Sequence, residues 1–302
     1  MKPLSEPTPF LDDRQIDWHT VRRTRCQFYQ RFQYTYPGPI QDLHQRLIVI
    51  PADQYGSQRL CQYDLTASPP VDVSRERRDA FGNRIFEFEV AEADASVLFE
   101  VQMTVEQESG SPAIVHLSRA ALAQLTRQTR LTRANHDIKT VALALQAEAS
   151  DAPDLAQRIS DWVYSVMRYG SGVTTVETTA SEVMRLRAGL CQDYAHLMLS
   201  LCRVSGLAAR YVSGHLLGEG GSHAWVEVLV PTDQGIHVLP FDPTNNCHPD
   251  LSYITVAVGR DYRDVSPTSG SFTAPYGGSL IFSKRAGLTM IEYLSGEIVR
   301  AQ

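Results

Sequence analysis

The sequence predicts an α+β protein, with an antiparallel, sandwich-like β domain leading into a domain of mixed helices and strands. Three observations predict this. Apolar residues recur with period two from Thr24 to about Glu106, the period becomes helical after about Leu125, and three strand-like runs follow the last of those helices. A chain of 302 residues is long enough for two domains. The boundaries read as an irregular arm over 1–22, a β-rich domain over 23–120 and a mixed domain over 121–302.

The arm mixes Pro, Asp and polar residues and carries no periodicity. In the β domain, Val97, Phe99, Val101, Met103 and Val105 fall on one strand face, and Phe86, Phe88 and Val90 alternate with Glu87 and Glu89. Leu47, Ile48, Val49 and Ile50 are apolar on both faces and predict a central strand. Asp79-Ala80-Phe81-Gly82-Asn83 has turn chemistry. Arg75-Glu76-Arg77-Arg78 reads as a solvated strand end.

Helical spacing covers Ile138–Ala149 and Ala152–Met167, the latter with a stripe of Leu155, Ile159, Trp162 and Val163. Thr179-Ala180-Ser181-Glu182 opens a short helix with a cap at its start, and Gly189 is expected to close it. A further helix starts at Cys191 and runs to about Ser205, stopped by Gly206. Strands are expected near Ala208–Leu217, His223–Val230 and Ile236–Phe241, with more strand and loop from Tyr253 to Leu294.

Composition removes several classes of function. A formal net charge of -6 argues against nucleic acid as a partner, which calls for a basic surface. No run approaches the ~18–20 apolar residues of a membrane span, and no secretory leader is legible at Met1-Lys2-Pro3. Five widely spaced cysteines without a CxxC pair argue against a disulfide framework or a zinc ribbon, and fit a reducing cytoplasm. No metal or other cofactor is expected: ligand spacings are absent, no EF-hand pattern suggests calcium, and Gly218-Glu219-Gly220-Gly221 lacks the Lys-Ser/Thr and helix of a phosphate loop. There is no GxSxG elbow for a serine hydrolase.

What remains is a cysteine. Cys191 heads an apolar helical stripe of Tyr194, Ala195, Met198, Leu199 and Cys202, so its thiol faces the positive end of the helix dipole. That setting favours the nucleophilic thiolate. Gly189 is expected to leave room for close approach to the sulfur. Two later segments, Ser222-His223-Ala224-Trp225 and Phe241-Asp242-Pro243-Thr244, supply a base and a carboxylate. If the strands around Pro231–Gly235 form a hairpin with a four-residue loop, Val230 pairs with Gly235 and His223 stands directly opposite Asp242. Directly opposed residues have Cβ atoms ~4.5–5.5 Å apart. Asp242 then orients His223, His223 serves Cys191, and the Cys191 backbone N–H is an oxyanion donor, with Gln192 and Trp225 as supporting residues. Cys202, mid-helix, reads as inert packing, His196 as packed and not the base, and Asp193 as stabilising the helix start.

Gly189-Leu190-Cys191-Gln192-Asp193-Tyr194-Ala195-His196, Ser222-His223-Ala224-Trp225-Val226-Glu227-Val228 and Phe241-Asp242-Pro243-Thr244-Asn245-Asn246 resemble the three core motifs of bacterial transglutaminase-like proteins. Tyr211-Val212-Ser213-Gly214, Val256–Tyr262 and Thr178-Thr179-Ala180 are similar to further signatures of that group, and Thr24 to about Val105 resembles its N-terminal domain. The resemblance implies a papain-like transglutaminase core and a Cys-His-Asp triad of Cys191, His223 and Asp242. It further implies acyl transfer through a thioester on a peptide or protein amide substrate. Hydrolysis by a cysteine peptidase or amidase is the expected outcome, since no acidic amine-holding tunnel is legible. Glutamine–amine transfer and a non-catalytic peptide-binding scaffold are the alternatives. The chain has Gly235-Ile236-His237 where many relatives keep Gly-Trp. The sequence does not give the oligomeric state.

Overall fold

The computed structural model describes residues 9–71, 73–110 and 114–301; the first eight residues of the expected arm lie outside the described residues. Strands β1 (Val21–Thr35), β2 (Ile40–Leu47), β3 (Gln54–Tyr55), β4 (Gln58–Ser68), β5 (Arg75–Arg78), β6 (Arg84–Ala93) and β7 (Ser96–Glu108) form the first part. The second part runs β8 (Ile114–Val115), α1 (Arg119–Leu125), α2 (His136–Glu148), α3 (Ala152–Val166), β9 (Arg168–Tyr169), α4 (Ala180–Leu186), β10 (Ala188–Gly189), α5 (Cys191–Val204), β11 (Ala208–Leu216), β12 (His223–Thr232), β13 (Gly235–Phe241), β14 (Tyr253–Gly259) and α6 (Tyr262–Val265). Strands β15 (Thr268–Thr273), β16 (Ser279–Tyr293) and β17 (Ile298–Arg300) close the chain. The architecture is α+β, with an antiparallel sandwich beside a helix-and-sheet core, as the periodicities predict. No helix among the described residues is long and apolar enough to cross a membrane.

The sandwich pairs a six-stranded sheet, ordered β17-β16-β1-β7-β4-β3, with a four-stranded sheet, β15-β2-β6-β5. Period-two burial explains why they face each other: Phe32, Val97, Phe99 and Val101 of the first sheet share one core with Leu43, Phe86, Phe88 and Val90 of the second. The exposed Arg75–Arg78 run is β5, an edge strand, where charge discourages further pairing.

Two expectations need correction. The three last strands do not belong to the mixed domain: β16 lies along the whole of β1, from Val21↔Tyr293 to Thr35↔Ser279, and β15 pairs with β2. The sandwich therefore takes both ends of the chain and the core is inserted between them, which no local periodicity can reveal. Nor do Ile48, Val49 and Ile50 form a strand. β2 ends at Leu47, and the next residues thread between the two cores, Ile48 packing into one and Val49 and Ile50 into the other. Burial on all sides made a crossing segment look like a central strand.

In the core, a sheet ordered β14-β11-β12-β13-β8 packs on α5. Every residue of α5 from Asp193 to Arg203 is buried, so this helix is the axis of the domain and holds Cys191 at its tip. Three side-chain amides of the sandwich close the outer edge of β14. Gln58 gives Nε2 to Thr255 O and takes Thr255 N, both at 2.8 Å. Asn83, held by the Asp79 turn, does the same with Val258 at 2.7 and 2.8 Å, and Gln107 reaches Tyr253 O at 2.8 Å. These amides satisfy backbone groups that an edge strand leaves open, and they lock the sandwich to the strand behind the site.

Candidate active site

The tip of α5 is built by a carboxylate. Asp193 Oδ2 accepts the Leu190 N–H at 2.8 Å and the Thr174 hydroxyl at 2.6 Å, which turns the chain into the helix. Gly189 serves this contact: a Cβ there would stand 2.3 Å from Asp193 Oδ2. The glycine makes room for the carboxylate, not for the approach of a substrate to sulfur. It also does not close α4. That helix begins with the expected capping box of Thr179 and Glu182 but ends at Leu186, where Arg187 turns left-handed at φ 49°. β9 and β10 pair in parallel beside the tip, setting Tyr169 against Gly189. The Cys191 thiol is free and half-buried, and its N–H belongs to the first helical turn, which has no carbonyl one turn earlier within the helix.

His223 begins β12 and Asp242 follows β13. The hairpin between them is tighter than expected: Thr232 pairs with Gly235 across a two-residue turn of Asp233-Gln234. His223 is therefore not directly opposite Asp242; the ladder ends at Val226↔Phe241, and the two side chains meet on a diagonal. The slip is of two residues, an even number, so both stay on one face. Asp242 leaves the strand into a small bridge with Cys247, and His223 Nε2 lies 2.8 Å from Asp242 Oδ2.

Asp242 is fully buried and heavily bonded. Oδ1 accepts Thr244 N at 2.8 Å and Asn245 N at 3.3 Å; Oδ2 accepts Asn245 Nδ2 and the Tyr253 hydroxyl, each at 2.8 Å. Burial alone would raise its pKa, but His223 and these donors hold the carboxyl below its ordinary range. Burial would likewise drive the proton off His223. The hydrogen bond to Asp242, with Cys191 and Glu219 also acting on the ring, reverses that and raises it to about 12. Nε2 stands on Asp242 and the Nδ1 edge faces Glu219, whose Oε2 is 3.3 Å from Nδ1; Cys191 also acts on the ring.

Trp225 is buried, with its ring stacked at 6.3 Å from that of His223, and Tyr253 lies edge-on at 5.8 Å. Gly214, paired with His223 in the ladder, leaves space for the indole: a Cβ there would meet Trp225 Cη2 at 2.5 Å. Gln192 donates Nε2 to Val176 O at 3.2 Å. His196 is wholly buried, accepts Tyr262 N at 3.2 Å and is pushed down to about 3 by burial, so it is packing. The Cys202 thiol is pushed up to about 12 by burial.

The structure sets His223 against Asp242 and Trp225, with Cys191 acting on its ring, and ties the Gln192 side chain to Val176. It adds Tyr253, Asn245, Tyr169 and Glu219. Asn245 was legible, three residues after an aspartate in a turn. Tyr253, Tyr169 and Glu219 arrive from separate segments with no spacing to announce them.

Residues 139–243 match the transglutaminase-like superfamily, and residues 27–106 match the bacterial transglutaminase-like N-terminal region. An uncharacterized protein of Mycobacterium tuberculosis is 32% identical over 279 residues, spanning 82% of this chain and 87% of its own. One of Mycobacterium leprae is 29% identical over 225 residues, spanning 68% and 78%. In three dimensions the fold is similar to a candidate cysteine protease from Cytophaga hutchinsonii, with a TM-score of 0.74, 19% identity and coverage of 94% and 95% of the two chains. The chain belongs to the bacterial transglutaminase-like family and is a thiol-dependent enzyme of that general kind.

Proposed function

We propose that the protein is an amide hydrolase, a cysteine peptidase or amidase acting on a peptide or protein substrate through Cys191, His223 and Asp242. The observation that carries this reading is the imidazole bonded at 2.8 Å to a buried carboxylate through Nε2, which leaves Nδ1 for the thiol at the helix tip that also acts on the ring. In the resting pair the sulfur is thiolate and His223 is imidazolium. The thiolate attacks the amide carbonyl carbon, and the oxygen that gains the electron pair is stabilised by the Cys191 N–H. As the C–N bond breaks, His223 gives its Nδ1 proton to the leaving nitrogen and the carbonyl reforms as a thioester. Water then attacks the thioester carbon while the now neutral His223 takes its proton. The tetrahedral intermediate collapses with cleavage of the C–S bond; the carboxylic acid leaves and sulfur takes the bonding pair as thiolate beside the imidazolium, which restores the ion pair. Asp242 keeps Nε2 protonated and the ring in place throughout.

The enzyme is incubated with a glutaminyl peptide, with and without a primary amine, and the products are weighed by mass spectrometry. Free acid is expected to dominate in both mixtures. A predominant amine conjugate would overturn hydrolysis in favour of amine transfer. Product from Cys191→Ala at the wild-type rate would overturn the thiol mechanism itself.

A further inference from the structure

The Nδ1 edge of His223 has more acceptors than protons. An imidazolium carries one hydrogen on that nitrogen; with Nε2 given to Asp242, Nδ1 is the nitrogen left to serve Cys191, yet Glu219 already stands on it with Oε2 at 3.3 Å. The two rivals are anchored very differently. Cys191 sits on a buried helix, whereas the Glu219 side chain is 42% exposed in the β11–β12 connection, within Gly218-Glu219-Gly220-Gly221. Gly218 is left-handed at φ 84°, a conformation that suits glycine. The loop has an outside anchor as well: Lys284 of β16, a strand of the sandwich, donates Nζ to Gly221 O at 2.6 Å.

We propose that Glu219 is a positioning residue that holds the Nδ1 edge of His223 in the substrate-free enzyme and yields it to the leaving nitrogen, and that Lys284 of the sandwich sets this loop in place. The proposal rests on the thiol–imidazolium reading above. The leaving nitrogen of a bound amide has to occupy the space beside Nδ1 to receive its proton, and the carboxylate stands there. Glu219 is the rival able to withdraw, because the thiolate must stay for attack. Burial pulls the Lys284 ammonium down to about 8, with Glu219 opposing that shift, so the tie spans the loop electrostatically as well as through its carbonyl. Lys284 also gives the sandwich a part in the chemistry that its edge contacts to β14 do not.

Other charged and titratable groups act on the same edge. Asp242, just past β13, and Tyr253 of β14 face His223; Asp193 lies on α5, two residues after Cys191. The Tyr169 phenol feels Cys191, Glu219 and His223 from β9, and buried His215 feels Lys284 from β11. None of them changes in the variants below, so each comparison isolates one side chain.

The test is the rate of iodoacetamide alkylation of Cys191 against pH, in the full-length wild type and in Glu219→Gln. An ion pair gives a plateau of reactivity with an acid limb, where the pair forms, and an alkaline limb, where the imidazolium is lost. Removing the Glu219 charge favours the thiolate and disfavours the imidazolium, so both limbs are expected to move to lower pH, by about one unit. Limbs that stay in place, or move upward, overturn the role of Glu219 while leaving the ion pair standing. A wild-type profile without an acid plateau overturns both. The second arm is amide hydrogen exchange of residues 218–222 in Lys284→Met, which keeps the aliphatic stem. Faster exchange there is expected; unchanged exchange overturns the role of Lys284.

Discussion

Two charged clusters sit on one face of β11 and β12, and they have opposite designs. At one end Arg210 Nε meets Glu227 Oε2 at 2.7 Å, and Tyr55 of the sandwich joins both, donating to Glu227 at 2.5 Å and accepting from Arg210 at 2.6 Å. Four residues before Glu227 on the same strand stands His223, with Trp225 between them. In the first cluster the cation and the anion are buried and bonded to each other and to a phenol that belongs to the other domain. Its charges have nothing left to do but hold Tyr55, and with it β3, against the core. In the second, the carboxylate is saturated by five donors while the imidazole keeps one edge facing a half-buried thiol and an exposed glutamate. A closed network fixes structure; one whose imidazole keeps an edge toward a thiol and a partly exposed glutamate can pass a proton. The contrast teaches that burial of charge alone does not mark this site, because both clusters have it.

Breaking the open cluster should show in the rate. Asp242→Asn keeps the shape and removes the charge that sustains the imidazolium, and turnover should fall about 10²–10⁴-fold, read as kcat with the substrate of the wild type. The same variant reports on stability. The folded protein raises the pKa of His223 above its ordinary 6.5 and lowers that of Asp242 below 3.8. The imidazolium's contribution is complete below pH 6.5 and fades as pH rises toward about 12. The carboxylate's contribution is complete above pH 3.8 and fades as acid protonates it. The gap in melting temperature between wild type and Asp242→Asn should therefore be widest between pH 3.8 and 6.5.

Breaking the closed cluster should show in stability instead. Glu227→Ala leaves Arg210 buried without its anion, a loss of about 3–5 kcal/mol in urea unfolding. The kcat of the molecules that remain folded should be unchanged. A large loss of kcat in that fraction would mean that the two ends of the strand pair are not separable.

The effect expected to be smallest near neutral pH sharpens the comparison with a third kind of buried group, one that stays neutral. His215 stacks on Phe28 of the sandwich at 5.1 Å, and burial pushes it down to about 3. An unfolded chain takes up that proton near pH 6.5 and the folded one does not, so stability falls as pH drops from 6.5 to about 3. The slope is about 1.4 kcal/mol per pH unit for one such group. His215→Phe should flatten the decline of melting temperature with acid by that share, leaving the share of His196. An identical acid decline in the variant would show that His215 titrates as freely folded as unfolded.

Much of this was legible in the sequence because it rests on local periods. Burial of Phe86, Phe88 and Val90, and of Val97 to Val105, follows from alternation, and α5 from its apolar stripe and Gly206 stop. The three core residues were legible because a nucleophile at a helix start, a histidine at a strand start and an aspartate past a strand end each carry a local signal. Even the mistaken hairpin register kept His223 and Asp242 on one face, since side-chain direction depends only on whether the slip is odd or even. What stayed hidden depends on chain segments meeting late. β16 returns more than 250 residues after β1 begins, so neither its place nor the reach of Lys284 to Gly221 has a sequence signature. Glu219 looked like one charge in a glycine loop until the fold set it on the imidazole.

The central claim is that sulfur and imidazole rest as an ion pair. The direct measurement is the alkylation rate of Cys191 at pH 5 to 6 in the wild type and in His223→Ala. In the account given, the wild type reacts readily there and the variant slows by at least about 10-fold, because without the imidazolium the sulfur keeps its proton. Equal rates in the two proteins, each rising only in the ordinary thiol range near ~8.5, would contradict it.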